Sequence, residues 1–136
     1  MSANTPTPHR LAAVRTFTKV VLNPAMRLVA GRRHWYAAAL HHVGRRTGRP
    51  YTTPVVAEPV QDGFVVPLPY GTHVDWLRNI QAAGQATIDV HGRHYTIDQP
   101  RVDGAAQALP TVRESRRRIW RRLGIENYLH VHAIPR

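Results

Sequence analysis

Short apolar segments, separated by turns of only a few residues, are the feature that most constrains the fold of this chain. The turns are marked by Gly44–Gly48, by Gln61-Asp62-Gly63 and by His91-Gly92, combinations that favour tight reversal of the backbone. The chain lacks the alternating strand and helix pattern of a parallel sheet, so a mostly antiparallel barrel with helices packed outside is favoured. The predicted strands are Trp35–Val43, Tyr51–Val56, Phe64–Leu68, Ala86–Val90, Arg93–Gln99 and Tyr128–Ile134.

Helical patterns before, between and after these strands divide the chain into two parts. Residues 1–34 are expected to form an N-terminal tail and amphipathic helices. Residues 35–136 are expected to form the barrel domain, which includes a basic helix and a short strand near its C-terminal end. A length of 136 residues fits one hydrophobic core better than two.

Short sequence signals mark the ends of the predicted helices. A central helix is predicted over His73–Ala83, with Thr72 as the N-cap of a capping box that Asp75 completes. Gly84 is expected to end this helix, and Gly124 to end the basic helix, because glycine readily adopts the left-handed conformation found after a last helical turn.

Composition limits the chemistry that is possible. Nineteen Lys and Arg residues against eight Asp and Glu give a formal charge of +11, which suits an anionic partner. The absence of cysteine excludes disulfides, thiolate zinc sites, Fe–S clusters and a cysteine nucleophile. No apolar run reaches the length of ~18 residues needed to span a membrane. Residues 1–8 lack the pattern of a signal peptide, so a cytoplasmic location is expected.

The turn after the first predicted strand concentrates positive charge. It carries Arg45, Arg46 and Arg49 between two glycines, and guanidinium groups together with turn N–H groups make a good seat for phosphate or carboxylate. Thr52 and Thr53 follow on the next strand and offer hydroxyl groups to a bound ligand. A solvated hairpin that binds nothing is the competing interpretation, and neither a Rossmann fingerprint nor a Walker loop is present.

A second informative stretch runs from Pro67 to Asn79 through a strand end, a loop and a helix N-terminus. Such N-termini present free N–H groups that suit anions and electron-rich carbonyl groups. Trp76, in the first helical turn, is more often a core anchor than a ligand contact. Asn79 is expected to tie the helix to neighbouring backbone.

In this order and spacing, the two stretches resemble the nitroreductase and quinone reductase family that depends on the deazaflavin coenzyme F420. The matching elements are Gly44-Arg45-Arg46-Thr47-Gly48-Arg49-Pro50, Thr53-Pro54, Phe64–Leu68 and Trp76-Leu77-Arg78-Asn79. The resemblance covers roughly residues 35–100. Two features depart from the family pattern: the loop Pro69–Thr72 is shorter and bulkier than a Ser-Gly-Gly segment, and Gly84-Gln85 stands in place of Asn-Pro.

The resemblance implies a split β-barrel of the FMN-binding, pyridoxamine-oxidase-like type. It also implies hydride transfer from reduced F420 to a quinone, a nitro compound or an activated alkene, with FMN as the less favoured cofactor. The basic turn would hold the coenzyme's phosphate and acidic tail, the threonine strand would line its ring, and the second stretch would hold the ring edge and ribityl region. The residues assigned in this way are Arg45, Arg46, Thr47, Gly48, Thr52, Thr53, Pro54, Tyr70, Gly71, Thr72, Asp75, Trp76 and Asn79.

No residue is assigned as proton donor, and Tyr70 and Tyr128 are the candidates because a phenol can hydrogen-bond a substrate oxygen. For Tyr128, simple packing is the favoured interpretation. Nine histidines raise the question of a metal, but they show no pattern of three or four ligands, so none is expected.

The wider positive charge leaves several partners open. Six arginines crowd the helix between Arg113 and Arg122. A solvated face is the usual outcome of such a charge run, and the alternatives are anion binding, contact with an anionic membrane, or nucleic acid. The amphipathic helix of residues 9–22 could lie on an anionic membrane, although core packing or contact within a homodimer is favoured. Besides the reductase, the alternatives are a non-catalytic barrel that carries F420, flavin, haem or a lipid, and a basic nucleic-acid-binding protein, which is disfavoured.

Overall fold

A single antiparallel sheet of seven strands forms the centre of the computed structural model, which describes residues 37–136. The strand order across the sheet is β2-β1-β5-β6-β7-β4-β3, so β2 and β3 form its edges. This confirms the predicted class, a mostly β split barrel with flanking helices. The strands are β1 Ala38–Val43, β2 Pro50–Val55, β3 Glu58–Val60, β4 Gly63–Pro67, β5 Gln85–Val90, β6 Arg93–Gly104 and β7 Asn127–Pro135.

Within residues 37–136, three α-helices and one 3₁₀ turn accompany the sheet: α1 Asp75–Ala83, α2 Ala105–Ala108, the 3₁₀ turn Leu109–Thr111 and α3 Glu114–Leu123. The predicted capping box is wrong, because α1 begins at Asp75 after Val74, which occupies the N-cap without a side-chain hydrogen bond. The predicted helix ends are confirmed, since Gly84 and Gly124 both have left-handed backbone, with φ of 77° and 70°.

The main core lies between one face of the sheet and α1. Alternate residues of the strands point into it, as a period of two requires, and α1 contributes Leu77 and Ile80, which are almost completely buried. Burial of these side chains holds α1 across the sheet, so the residues on its first turn have fixed positions relative to the strands.

A second, smaller core covers the opposite face of the sheet. Val65 and Tyr128 from the strands pack there against Leu109, Val112 and Trp120 of the C-terminal helical segment. Trp120 lies on α3 with its ring centroid 5.4 Å from that of Tyr128. This cluster fixes α3 on the outside of the barrel.

An ion-pair cluster that the sequence did not reveal also holds α3. Glu58, on the short strand β3, is 4% exposed. Its carboxylate accepts from Arg113 Nε at 3.0 Å and Arg116 Nε at 3.1 Å. β3 itself was not predicted, because it has only three residues and contains Pro59, which cannot donate to a ladder.

Several expectations fall on residues that the structure does not describe. The N-terminal tail and helices of residues 1–34, and their contact with a membrane or a second subunit, lie outside the described residues. Within residues 37–136, no helix is long and apolar enough to cross a membrane. The same part of the chain has no group of three or more His, Cys, Asp or Glu side chains placed to hold a metal ion.

Candidate functional site

The basic turn between β1 and β2 is a closed loop with an exposed tip. The Gly44 N–H donates to the Arg49 carbonyl, and the Gly48 N–H donates to the Gly44 carbonyl, both at 2.8 Å. Gly48 has φ of 73°, which a side chain would strain. Arg46, Thr47, Gly48 and Arg49 are all exposed, so two guanidinium groups of the turn reach solvent.

Arg45 behaves differently, because it bridges the turn to helix α1. Asn79 Oδ1 accepts from the Arg45 backbone N–H at 3.1 Å and from Arg45 Nη1 at 2.8 Å. A longer contact of 3.3 Å joins Arg45 Nη2 to the carboxylate of Asp75. The Arg45 side chain is only 22% exposed, so much of its hydrogen-bonding capacity serves to anchor the turn.

Asn79 continues this network into β1 and β2. It is 5% exposed, and its Nδ2 donates to His42 Nδ1 at 3.1 Å. His42 Nε2 then donates to the Thr53 hydroxyl at 2.9 Å, an assignment that follows from the amide's role as donor. Burial, with a smaller contribution from His41, lowers the pKa of His42, and both its hydrogen bonds suit the neutral ring. The expectation that Asn79 ties α1 to neighbouring backbone agrees with this geometry.

His42 is a residue of this site that the assignment of site residues omitted. The signal for it was present in the alternation of the strand, since His42 must lie on the same face as the buried Leu40. What the sequence did not reveal is its partner, because Asn79 is 37 positions away.

Thr52 and Thr53 lie on opposite faces of β2, although both were expected to line one ligand. Thr53 bonds to His42, whereas the Thr52 hydroxyl lies 3.0 Å from His41 Nδ1 on the other face. His41 Nε2 in turn lies 2.8 Å from a carboxylate oxygen of Asp89. Successive strand residues point in opposite directions, so the two hydroxyl groups cannot contact the same side of one ring.

Asp89 joins two histidines on that outer face. His94 Nδ1 lies 2.5 Å from its second oxygen. Partial burial by itself would raise the pKa of Asp89, but hydrogen bonds from His94 and His41 outweigh burial and lower it. The carboxylate therefore stays ionised and holds both rings in place.

A small cleft brings together four of the assigned residues: Pro54, Tyr70, Gly71 and Trp76. Its volume is about 90 Å³, and it opens between the end of β2 and the end of β4. Burial raises the pKa of the Tyr70 phenol, so this group keeps its proton at neutral pH. Thr72 does not line the cleft. The other lining residues are Val55, Val56, Pro67, Leu68, Pro69 and Val74.

Helix α1 links the cleft to the basic turn. Asp75 and Trp76 are consecutive residues of its first turn. The first contacts Arg45, and the second lines the cleft. The charged turn and the apolar cleft are therefore neighbouring parts of one surface.

Tyr128 is far from any role at this surface. Its side chain is completely buried in the second core, and its hydroxyl donates to the Ile125 carbonyl at 2.8 Å. Burial raises the pKa of its phenol. The geometry supports packing, the interpretation favoured from the sequence, and leaves Tyr70 as the candidate proton donor at the cleft.

A larger cavity, of about 580 Å³, lies at the opposite end of the sheet. It is lined by the β3–β4 turn, the β5–β6 turn and the end of β7, including Asp62, His91, Arg93 and His132. None of the assigned residues lines it. By volume alone, this cavity would be the preferred candidate for a binding site. The cleft is preferred here because apolar walls and a protonated phenol lie there beside the charged turn.

Comparisons with known proteins agree with the resemblance seen in the motifs. A family model described as F420H(2)-dependent quinone reductase matches residues 14–129. No curated protein matches the chain.

The solved structures that match the chain are distant. A conserved hypothetical protein, Rv2991 from Mycobacterium tuberculosis, has 11% identity and a TM-score of 0.45 over 76% of this chain and 79% of that one. Protein Atu2129 (unknown function) from Agrobacterium tumefaciens has 16% identity and a TM-score of 0.42 over 98% of this chain and 61% of that one. A structure described as a domain-swapped dimer has 12% identity and a TM-score of 0.42 over 90% of this chain and 99% of that one.

Proposed function

Because the chain belongs to the F420H(2)-dependent quinone reductase family, we propose that it uses reduced F420 to reduce a quinone or a related electron acceptor at the cleft beside the basic turn. The observation that carries this proposal is the network from Arg45 through Asn79 to His42. It fixes a turn rich in guanidinium groups next to an apolar cleft, as an anionic coenzyme with a planar ring requires.

The charged part of this surface suits the phosphate and acidic tail of the coenzyme. Arg46 and Arg49 are exposed and lie on a turn that Arg45 anchors. Guanidinium groups bind phosphate and carboxylate with paired hydrogen bonds. Arg45 contributes mainly by positioning, since Asn79 and Asp75 engage both of its terminal nitrogens, Nη1 and Nη2.

The apolar part suits one edge of the ring. Pro54 and Trp76 supply flat apolar walls, and Gly71 has φ of 90°. A volume of about 90 Å³ is small for a whole ligand, since typical ligand pockets hold ~300–1,000 Å³. The ring therefore lies against the cleft and leaves its other face open to the acceptor.

Reduced F420, when bound, supplies the hydride, and the protein's part is orientation and proton supply. Tyr70 keeps its proton because burial raises the pKa of its phenol. Tyr70 lines the cleft, and a phenol hydroxyl can donate a hydrogen bond to an acceptor oxygen. We assign Tyr70 this role, and Tyr128 none.

Titration of the purified protein with F420, followed by the coenzyme's own fluorescence, tests the proposal. We expect saturable binding, followed by oxidation of F420H2 when a quinone is added. Arg46→Ala should weaken binding, whereas Arg93→Ala, which removes an equal charge at the opposite end of the sheet, should leave it unchanged. If both substitutions change the affinity for F420 equally, the basic turn is not part of the binding site.

Two further results would replace the proposal with an alternative. Binding of F420 without its oxidation by a panel of quinones, nitro compounds and activated alkenes indicates a carrier protein. No saturable F420 binding, together with duplex DNA binding that weakens steeply with salt, indicates a nucleic-acid-binding protein. FMN, titrated in parallel, distinguishes the two candidate cofactors, and the acceptor panel distinguishes a quinone reductase from a nitroreductase.

A further inference from the structure

The six arginines around helix α3 do not form one uniform charged face. Arg113 and Arg116 point to the buried Glu58. Arg117 donates to the carbonyl groups of Leu109, Pro110 and Val112, at 2.8, 3.3 and 2.9 Å. These three arginines hold the helix to the barrel.

The remaining three arginines lie on the outside of α3. Arg118 forms an exposed pair with Glu114 at 2.7 Å. Arg121 and Arg122 are exposed in the last helical turn. Neither makes an ion pair with any residue of the described range 37–136, so they present net positive charge to the surroundings.

Two large apolar side chains accompany this charge. Ile119 is 51% exposed and Leu123 is 67% exposed, and their spacing of four places them one turn apart on the same side of the helix. The residue between them that is buried is Trp120. The outer surface of α3, defined by Ile119, Arg121, Arg122 and Leu123, therefore combines exposed apolar groups with cations that make no ion pair within residues 37–136. Arg122 lies beside the apolar pair, whereas Arg121 lies on the far flank of this surface.

The C-terminal end of α3 leads by a short turn into β7, whose first residue is hydrogen-bonded to a wall of the cleft. Leu123 ends α3, and after Gly124 the chain enters β7 at Asn127. The Asn127 carbonyl accepts from the backbone N–H of Leu68 at 2.9 Å. Leu68 lines the cleft, so the segment that follows α3 is directly hydrogen-bonded to one of its walls.

We propose that the outer surface of α3 docks on an anionic lipid membrane. Arginines attract acidic headgroups, and exposed Ile and Leu side chains gain free energy by entering the acyl boundary. A nucleic acid would satisfy the charge but would offer nothing to Ile119 and Leu123. Self-association through this surface is disfavoured, because it would place Arg121 and Arg122 of one copy close to the same two positively charged residues of the other copy.

Sedimentation of the full chain with lipid vesicles tests this docking. Binding is expected to vesicles that contain phosphatidylglycerol and not to pure phosphatidylcholine. The double substitution Arg121→Gln and Arg122→Gln should weaken binding about 30-fold, which corresponds to about 1 kcal/mol per arginine. The pair Ile119→Ser and Leu123→Ser should weaken it about tenfold or more through lost apolar burial.

Matched controls remove the same chemistry elsewhere on the surface. Arg93→Gln with Arg136→Gln removes two exposed charges away from α3, and Ile134→Ser removes an apolar side chain that is 50% exposed. These variants should bind vesicles as the parent does. Melting temperature verifies that every variant is folded, and F420 titration in the absence of lipid should be unchanged by the α3 substitutions.

Three results would overturn the proposal. One is a parent protein that does not sediment with anionic vesicles, and another is an α3 variant that sediments as well as the parent. The third is a parent protein that binds short duplex DNA but not vesicles, together with two α3 variants that no longer bind the DNA. Vesicle binding is measured without coenzyme, so its failure and the failure of the proposed reductase activity are separate results.

Discussion

Arg45 and Arg46 are neighbours in a basic turn, and the sequence alone treats them as equivalent exposed residues with little effect on folding. The structure separates them. Arg45 is anchored to the buried Asn79, whereas Arg46 is exposed. We therefore expect Arg45→Ala to lower the free energy of unfolding and Arg46→Ala to leave it nearly unchanged.

The size of the difference follows from the contacts that each substitution removes. Arg45→Ala deletes the hydrogen bond from Nη1 to Asn79 at 2.8 Å, and a hydrogen bond from a charged group to a buried acceptor contributes about 1.5–3 kcal/mol. The pair with Asp75 is 3.3 Å long and partly exposed, so it adds at most about 1 kcal/mol. We expect a total of about 2 kcal/mol, against at most about 0.5 kcal/mol for Arg46→Ala.

Urea denaturation followed by tryptophan fluorescence measures these values, and a double-mutant cycle isolates the contact. Asn79→Ala alone should cost more than Arg45→Ala, because Asn79 also accepts from the Arg45 backbone and donates to His42. In the Arg45→Ala, Asn79→Ala double variant the losses should be less than additive by about 1–2 kcal/mol. Additive losses, or an Arg45→Ala protein as stable as Arg46→Ala, would refute the anchoring role.

Three further expectations concern His42, α3 and Tyr70. Because burial lowers the pKa of His42 below the ordinary histidine value of 6.5, the unfolded chain takes up the proton first, so stability should fall as the pH drops below about 6.5. His42→Gln should flatten that part of the profile, and an unchanged slope contradicts the assignment. Arg116→Ala should cost about 2–3 kcal/mol in unfolding free energy by leaving Glu58 poorly paired, whereas Arg118→Ala should cost at most about 0.5 kcal/mol; equal costs argue against the buried pair. Tyr70→Phe should lower kcat with quinone about 100-fold at unchanged F420 affinity if the phenol supplies a proton, and an unchanged kcat excludes it.

Local signals in the sequence were sufficient for most of the secondary structure. The hairpin around Gly44–Gly48, the turn at His91-Gly92 and the helix ends at Gly84 and Gly124 all appear where turn and capping chemistry indicated. These signals depend only on residues that are close together in the sequence, so they can be recognised without knowledge of the fold. They failed at β3, whose three residues form a strand only because β4 lies beside them.

The sequence by itself determined an antiparallel architecture, the absence of thiol chemistry and a basic turn followed by a Trp-x-x-Asn helix. Only the tertiary structure decided how the charges are used. Asn79 is hydrogen-bonded to Arg45, which is 34 positions away in the sequence, and Glu58 is hydrogen-bonded to Arg116, which is 58 positions away. Such contacts depend on strand register and helix packing, which bring distant residues together after their local structures are set. That is why Arg45 and Arg116 became structural anchors, while Arg46, Arg121 and Arg122, identical in type, were left exposed to solvent.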